Sequence, residues 1–331
     1  MFGKNKLDRY KHEEYAYFRS SPEVLAAIEV VTEDDIRDAD GSARRVWEYN
    51  EREAEVLQYI NAQKWQPRAL IWCDAVWASH NGTEFVQTRF RHVVHHGDKF
   101  FEFDCLNKAA LARAKSTLTK EPGTIAWIDG FERKSHFWDI GANIGTFSIY
   151  AAVIRDCVVT SFEPAAANFT ALNRNIIANK LDKKMRALAV AVDAQCKVAD
   201  LHMRDNEEAS ALHAFGTSTD YQGETFMPSH LQGALGVSID ALVSVFGMPT
   251  PNYVKIDVDG LERAVVAGGR QTFADPQCKS VLVELDLNDL SEVSQITDVM
   301  KACGMYRDDN VPGNTGRDHG KVMVYNMIFR R

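Results

Sequence analysis

Apolar residues recur along this chain in two rhythms, and the rhythm changes near residue 65 and again near residue 130. In the first 65 residues, VLAAIEVV and RRVWEYNEREAEVLQYINAQ carry apolar positions at helical spacing, with Thr32 and Ser42 placed as N-caps. The stretch TEDDIRDADG between them predicts an acidic loop. From about Ala69 to Phe103 the segments ALIWCDAVW, TEFVQTRF and DKFFEFD run apolar or alternate. With Asn81-Gly82 and Gly97-Asp98 as turn signals they predict strands joined by hairpins. A helix, LNKAALARAKSTLTK, is expected next, stopped by Pro122.

Beyond residue 130 short apolar runs alternate with helical patterns. HFWDI, VVTSFEP, MRALAVAV, YVKIDV, SVLVEL and VMVYNMIF predict strands. TFSIYAAVIR, AANFTALNRNIIANK, VSIDALVSVFG, LERAVVAGG and NDLSEVSQITDVMKACG predict helices, and residues 203–232 read as irregular and polar. Strands alternating with helices imply an α/β fold, a parallel sheet with helices on both faces. The N-terminal part then forms an α+β extension, and the seam is expected between 1–104 and 105–331.

Composition adds that the two parts differ. Across residues 1–120, 18 Lys/Arg nearly balance 19 Asp/Glu, whereas the remainder carries 20 against 27, so the net charge of −8 is concentrated there. All six tryptophans lie at or before Trp138. Trp47, Trp65, Trp72 and Trp77 are expected in the core of the extension, since tryptophan is highly buried on average. An acidic balance argues against a nucleic-acid partner, which needs a concentrated positive face. The six cysteines form no CxxC pair, which weakens zinc and thioredoxin-like readings and fits reduced thiols in a cytoplasmic protein. The N-terminus has no apolar h-region and no run of 18 apolar residues exists, so neither a secretory signal nor a transmembrane helix is expected. Peripheral membrane contact stays open.

The most informative stretch is Phe137-Trp-Asp-Ile-Gly-Ala-Asn-Ile-Gly-Thr146. A strand ends, Gly141 and Gly145 turn the backbone, and a helix begins with its N-terminus facing a ligand. A nicotinamide fingerprint would need GxGxxG around a pyrophosphate. Here the spacing is GxxxG, and Asp139 stands two residues before the first glycine. An acid there repels a pyrophosphate but suits the ammonium of an amino acid, which S-adenosylmethionine carries. Glu163 ends the next strand, 24 residues on, where a carboxylate can accept hydrogen bonds from a ribose diol. Asp193 ends the third strand, where an adenine would lie.

DIGANIGTF, SFEPAAANFTALNRN and YVKIDVDGLERAVVAGG together resemble the three signature blocks of the FkbM-like methyltransferases. TKEPGTIAWIDGF, just before the first strand, is similar to a bacterial branch of that family. The resemblance covers about residues 105–290 and leaves the first 65 or so unaccounted for. It implies a Rossmann-like class I methyltransferase sheet, S-adenosylmethionine as cofactor, and O-methylation of a sugar, glycan or glycolipid-type acceptor. By position, Asp139, Gly141, Asn143 and Gly145 would hold the methionine part. Glu163 would take the ribose and Asp193 the adenine, while Thr119 and Glu121 would help close the pocket. The family usually carries Glu where this chain has Asp259.

An alcohol acceptor must lose a proton, and a general base contributes roughly 10²–10⁴-fold. In an open α/β sheet the site lies at the carboxyl ends of the strands. Strand periodicity puts Lys255, Asp257 and Asp259 on one face there, with Glu284 and Asp286 on the next strand. Asp257 is the expected base or acceptor-orienting residue, with Lys255 and Glu284 beside it; capping of the following helix by Asp257, or its binding of the cofactor amino group, is the alternative. If Lys255 pairs with Asp257, it lowers that carboxylate's pKa and makes it a poorer base. Asp257, Asp259, Glu284 and Asn288 are hard oxygen donors of the kind magnesium prefers, but their spacing is not diagnostic and no metal is assigned. His92, His95 and His96, and His213 and His230, are alternative bases. Two other classes stay in play: a non-catalytic binding or scaffold protein that kept the fold, and a nicotinamide dehydrogenase, which the missing GxGxxG disfavours. The extension is expected to help choose the acceptor or to form a homo-oligomer contact.

Overall fold

The computed structural model describes residues 15–18, 69–80, 83–219, 225–314, 316–318 and 323–331, with side chains from residue 91 onward except that of Asp318. The helical patterns expected before residue 65, with Trp47 and Trp65, lie outside what is described, as do the side chains of Trp72 and Trp77. The chain divides into two compact units after Lys115.

In the first unit β1 (Tyr15–Phe18), β2 (Ala69–His80), β3 (Thr83–His96) and β4 (Lys99–Cys105) form one sheet in that order. β1 runs parallel to β2, and the others form an antiparallel meander. Tyr15–Phe18 is thus a strand, inside a stretch whose composition reads as helical. Helix α1 (Lys108–Lys115) buries Ala110, Leu111 and Ala114 and stays with this sheet.

The second unit opens with α2 (Pro122–Asp129). Pro122 was expected to stop a helix and instead starts one, because a first-turn position needs no N–H donor. Then follow β5 (His136–Ile140), α3 (Thr146–Ile154), β6 (Val158–Phe162), α4 (Ala166–Ala178) and β7 (Met185–Leu188). Next come β8 (Ala191–Val192), β9 (Lys197–Met203), β10 (Ala214–Phe215), β11 (His230–Val237) and α5 (Ile239–Ser244). The chain closes with β12 (Tyr253–Ile256), α6 (Glu262–Ala267), α7 (Arg270–Ala274), β13 (Ser280–Asp286), α8 (Leu290–Ala302), β14 (Tyr306–Arg307), β15 (Arg317–Asp318) and β16 (Met323–Arg330).

The main sheet has the order β7-β6-β5-β12-β13-β16-β14. Strands β5, β6, β7, β12 and β13 are parallel, and β16 runs antiparallel to β13. The strand order reverses between β5 and β12. That switch point is where an open α/β sheet leaves a crevice at its carboxyl edge. This is the Rossmann-like α/β sheet that the sequence predicts.

Two local expectations change. MRALAVAV is two strands, because the chain leaves β6 after Leu188 and re-pairs beside β11 at Ala191–Val192. The polar stretch before the fourth main strand is bounded by an antiparallel pair, β9 with β11, in a second sheet of order β10-β9-β11-β8. That pair is hard to read because Gly233 and Gly236 interrupt its alternation.

The core of the main sheet is aliphatic and aromatic, with Trp138, Ile140, Phe162, Val254, Ile256, Val281, Val283 and Phe329 buried together. Trp127 from α2 is also buried, and its indole N–H donates to Ser280 Oγ at 2.9 Å. It meets Phe131 edge to face, and Phe131 stacks on Tyr253 at 3.8 Å between ring centroids. This aromatic knot anchors the segment that carries Glu121 to the strand that carries Lys255.

Candidate active site

The loop from β5 to α3 is folded against its neighbours so closely that its glycines have no substitute. Gly141 sits at φ +82°, and a Cβ built on it would overlap the Asp257 carbonyl oxygen. Its N–H and that of Ala142 both donate to Phe162 O, at 3.0 and 3.1 Å. Gly145, at φ +90°, caps α3, and a Cβ there would lie 2.5 Å from Leu172 Cδ1. Asn143 is also left-handed, at φ 52°. Its side chain closes the turn on itself, with Oδ1 accepting from Ile144 N at 3.0 Å.

Glu163 holds this loop in place. One carboxylate oxygen accepts from Asn143 N at 2.8 Å and the other from Ala165 N at 2.9 Å. Asn143 and Glu163, predicted from separate motifs, are therefore direct partners. Asp139 is 1% exposed and faces into the sheet. Its Oδ2 accepts from Ser148 Oγ at 2.5 Å, while Oδ1 is buried with no hydrogen-bond partner among the described residues. A buried carboxylate oxygen without a donor is costly, and a ligand ammonium would satisfy it.

On the other side of the switch point, Lys255 is fully buried and lies over the Phe147 ring at 5.1 Å. Its Nζ is 2.6 Å from Asp257 Oδ2. Glu121, Asp257 and Glu284 each place a carboxylate oxygen within 4.8 Å of the others. Arg317 bridges two of these acids, with Nη1 2.7 Å from Glu121 Oε1 and Nη2 on Glu284 Oε1. The other Glu121 oxygen accepts from Thr124 Oγ1 and Asn326 Nδ2, each at 3.0 Å. The structure thus brings Asp139, Lys255, Asp257, Glu284 and Glu121 into one electrostatic cluster.

Four acids share the buried Lys255 and the partly buried Arg317, with the exposed Lys120 3.6 Å from Glu121, and the protonation states follow. Burial raises Asp139, against the opposing pull of Lys255. Burial, then the charges of Asp257 and Glu121, raise Glu284 well above the usual carboxylate range. Burial also works to raise Asp257, but Lys255 outweighs it and holds that acid ionised, far below its ordinary value. Burial works likewise on Glu121, yet Lys255 and Arg317 keep it low. Desolvation works to lower Lys255, but the surrounding Asp257, Asp139, Glu121 and Glu284 hold its ammonium protonated. Asp257 is therefore a poor base, and Glu284 is the acid in the cluster whose surroundings favour the protonated form most.

Other expected residues fall outside this cluster. Asp193 is buried and pairs with Lys197 Nζ at 2.5 Å, at the end of β8. Thr119 is exposed in a turn, 3.4 Å from Ser116 O. Asp259 does not continue the face of Lys255 and Asp257, because the strand ends at Ile256 and Asp259 turns left-handed at φ 57°. Its Oδ2 instead accepts from Leu212 N at 2.7 Å, pinning the stretch before β10 to the site's rim. Asn143 and Asn168 reach the same stretch, donating to Ser210 O at 2.7 and 3.0 Å. His213 Nδ1 accepts from Arg204 N, which puts its ring proton on Nε2 and leaves it a donor rather than a base. His230 is exposed, and His92 is buried in the first unit.

The functional residues that sequence reasoning missed are Ser148, Phe147, Arg317, Asn326 and Glu262. Ser148 lies one helical turn into α3, a position the strand–loop–helix pattern could have flagged. Glu262 closes the loop after β12 by accepting from Val258 N at 2.9 Å and Gly260 N at 3.0 Å.

Glu163 and Glu262 give the unit a definite pH response. Burial pushes them up to about 7 and about 8. The folded chain therefore keeps two protons that the unfolded chain sheds above about 4.5. Stability contributed this way is greatest below that value and is lost as pH rises through the folded values. His92, held down to about 4, acts oppositely only below 6.5. The unfolding temperature of the cofactor-free protein is expected to fall between about pH 6.5 and 8. A rise across that window in a thermal-unfolding series would contradict the assignment.

The sequence profile of the methyltransferase FkbM domain matches residues 139–305, just over half of the 331 residues. Among curated proteins no match is found. The structure of P. horikoshii TYW2 in complex with MeSAdo is similar at TM-score 0.41 and 10% identity, over 85% of this chain and 83% of that one. The precorrin-6y C5,15-methyltransferase from Geobacter metallireducens GS-15 gives 0.34 and 11%, over 62% and 81%. The M. jannaschii tRNA m1G37 methyltransferase gives 0.38 and 11%, over 86% and 67%. The profile match spans Asp139, Glu163, Lys255 and Glu284, the residues that line the crevice. The chain belongs to the FkbM family of methyltransferases, which take their methyl group from S-adenosylmethionine.

Proposed function

We propose that this methyltransferase transfers its methyl group to a hydroxyl oxygen of a sugar, glycan or glycolipid-type acceptor in the cytoplasm. The observation that carries the reading is the cluster of Glu121, Asp257 and Glu284, whose carboxylate oxygens lie within 4.8 Å of one another at the carboxyl edge of β12 and β13. Asp139, with its unpartnered oxygen, is suited to the cofactor ammonium, and Glu163 to the ribose diol. Asp193 would lie by the adenine, and Glu121 closes the methionine end. S-adenosylmethionine supplies an already activated methyl group, so the protein mainly orients the reactants. The acceptor oxygen forms the new C–O bond as the S–CH3 bond breaks, its proton passes to the Glu284 carboxylate, and a neutral thioether leaves. Asp257 and Lys255 orient the acceptor hydroxyl. A pocket rich in carboxylate oxygens offers many hydrogen-bond acceptors to a polyol.

Among the described residues Cys105, Cys157, Cys196, Cys278 and Cys303 are free thiols, as a reducing compartment allows, and no helix is long and apolar enough to cross a membrane. The N-terminal unit contributes acceptor choice or a homo-oligomer contact. Incubating the protein with methyl-labelled S-adenosylmethionine and separated cell glycans, lipids, proteins and RNA tests the acceptor class. Label is expected in the glycan or glycolipid fraction, in an alkali-stable ether. Label confined to protein or RNA would overturn the proposal.

A further inference from the structure

Arg317 belongs to no motif, and it stands where three separate parts of the chain meet. It lies on the short strand β15, which among the described residues pairs with β16 alone. One arm reaches Glu121, in the segment entering α2, and the other reaches Glu284 on β13. Across the strand pair, Glu284 faces Asn326. Asn326 gives its amide to Glu121 and Thr124, so it does not compete for Glu284. Asp286, on the same strand, is occupied by the backbone of Asn288 and Met323. The charged groups acting on Glu284 are therefore Asp257, Glu121, Arg317 and Lys255.

We propose that Arg317 is a positioning residue for proton transfer: it bridges Glu121 and Glu284 and holds the Glu284 carboxyl against Asp257, so that Glu284 gives up its proton when the cofactor's positive charge enters.

Charge balance supports this. Asp139, Glu121, Asp257 and Glu284 would carry four negative charges if all were ionised, against Lys255 and Arg317 and, from the exposed rim, Lys120, 3.6 Å from Glu121. Excess negative charge within a buried pocket is disfavoured, and protons on Asp139 and Glu284 relieve it. S-adenosylmethionine has an ammonium, a sulfonium and a carboxylate, a net charge of one positive. Its entry replaces a proton, which leaves Glu284 for solvent and turns the carboxyl into a carboxylate. The base is then formed only in the loaded enzyme. Arg317 shifts the pH at which this happens, because its guanidinium on the Glu284 carboxyl favours the ionised form. A lysine keeps the charge but reaches only one acid at a time.

This inference rests on the methyltransferase reading, and calorimetry of the full chain separates the two. S-adenosylmethionine and S-adenosylhomocysteine are titrated in buffers of contrasting ionisation enthalpy across neutral pH, which counts protons exchanged on binding. The wild type is expected to release on the order of one proton with S-adenosylmethionine and fewer with the homocysteine form, which lacks the sulfonium charge. In Arg317→Gln the pH of half-maximal release moves up by about one unit, since a neighbouring positive charge lowers a carboxyl by about 1–3. Arg317→Lys stays near the wild type, which covers the case in which the glutamine variant fails to fold. Glu284→Gln loses the release. Unchanged pH dependence in Arg317→Gln, release that survives Glu284→Gln, or binding without proton exchange would overturn the role of Arg317 and leave the enzyme reading standing. No binding by the wild type would overturn both.

Discussion

Gly141→Ala is expected to lose S-adenosylmethionine binding altogether and to unfold at a temperature lower by on the order of 10 °C. The cause is local and steric. At φ +82° a side chain is strained, at about 1–3 kcal/mol, even with free space around it. There is no free space, because the new methyl would overlap the Asp257 carbonyl oxygen. The β5–α3 loop and the end of β12 must then separate. That breaks the pairing of Asp257 N with Ile140 O at 3.1 Å and shifts Lys255 away from Asp139. Two halves of the crevice are welded at this one glycine, so the variant harms both stability and the site. Gly130→Ala is the matched control: that residue keeps an ordinary helical φ of −79°. Thermal unfolding and calorimetry of both variants check the claim, and a Gly141→Ala protein that binds cofactor normally would refute it.

Glu163→Ala is expected to weaken S-adenosylmethionine by at least about 100-fold, or about 2.7 kcal/mol. The carboxylate is 5% exposed and satisfies two buried backbone donors, Asn143 N and Ala165 N. Its removal leaves both without partners, at about 1–3 kcal/mol each. It also removes the acceptor for the ribose diol, whose charge-assisted hydrogen bonds contribute about 1.5–3 kcal/mol. Because burial holds Glu163 at about 7, wild-type affinity should also weaken as pH falls below that value. Glu163→Gln keeps one oxygen acceptor for the loop and is expected to fold better than the alanine variant while still binding weakly. Equal affinity in wild type and Glu163→Ala would remove Glu163 from the cofactor site.

The β5–α3 turn and the acids flanking it were legible in the sequence, and the reason is physical. HFWDI, the glycine turn and TFSIYAAVIR differ in period and in backbone demand, so the strand, loop and helix announce themselves. Asp139 and Glu163 stand at fixed places in that pattern, and the structure seats them where a strand end must lie. The proton-handling half was only partly legible. Lys255 and Asp257 share a strand rhythm, which correctly implied their pairing. That same rhythm wrongly carried Asp259 along, because the strand ends at Ile256 and a left-handed turn follows.

Arg317 and Asn326 were invisible for a different reason. Their contacts to Glu121 span roughly 200 residues and depend on β16 closing the sheet antiparallel to β13. Long-range pairing of this kind leaves no local period to read. Asp257 illustrates the limit from the other side. Residue type and position made it the natural base, but the short ion pair with Lys255 holds it ionised and makes it a poor one.

The central claim is that Asp139, the Gly141–Gly145 turn and Glu163 form a site for S-adenosylmethionine. Isothermal titration of the full chain with S-adenosylmethionine, and separately with NAD, tests it most directly. Saturable one-to-one binding of S-adenosylmethionine, with no heat from NAD, is the predicted result. No binding of S-adenosylmethionine by the folded protein, or binding of NAD instead, would contradict the account.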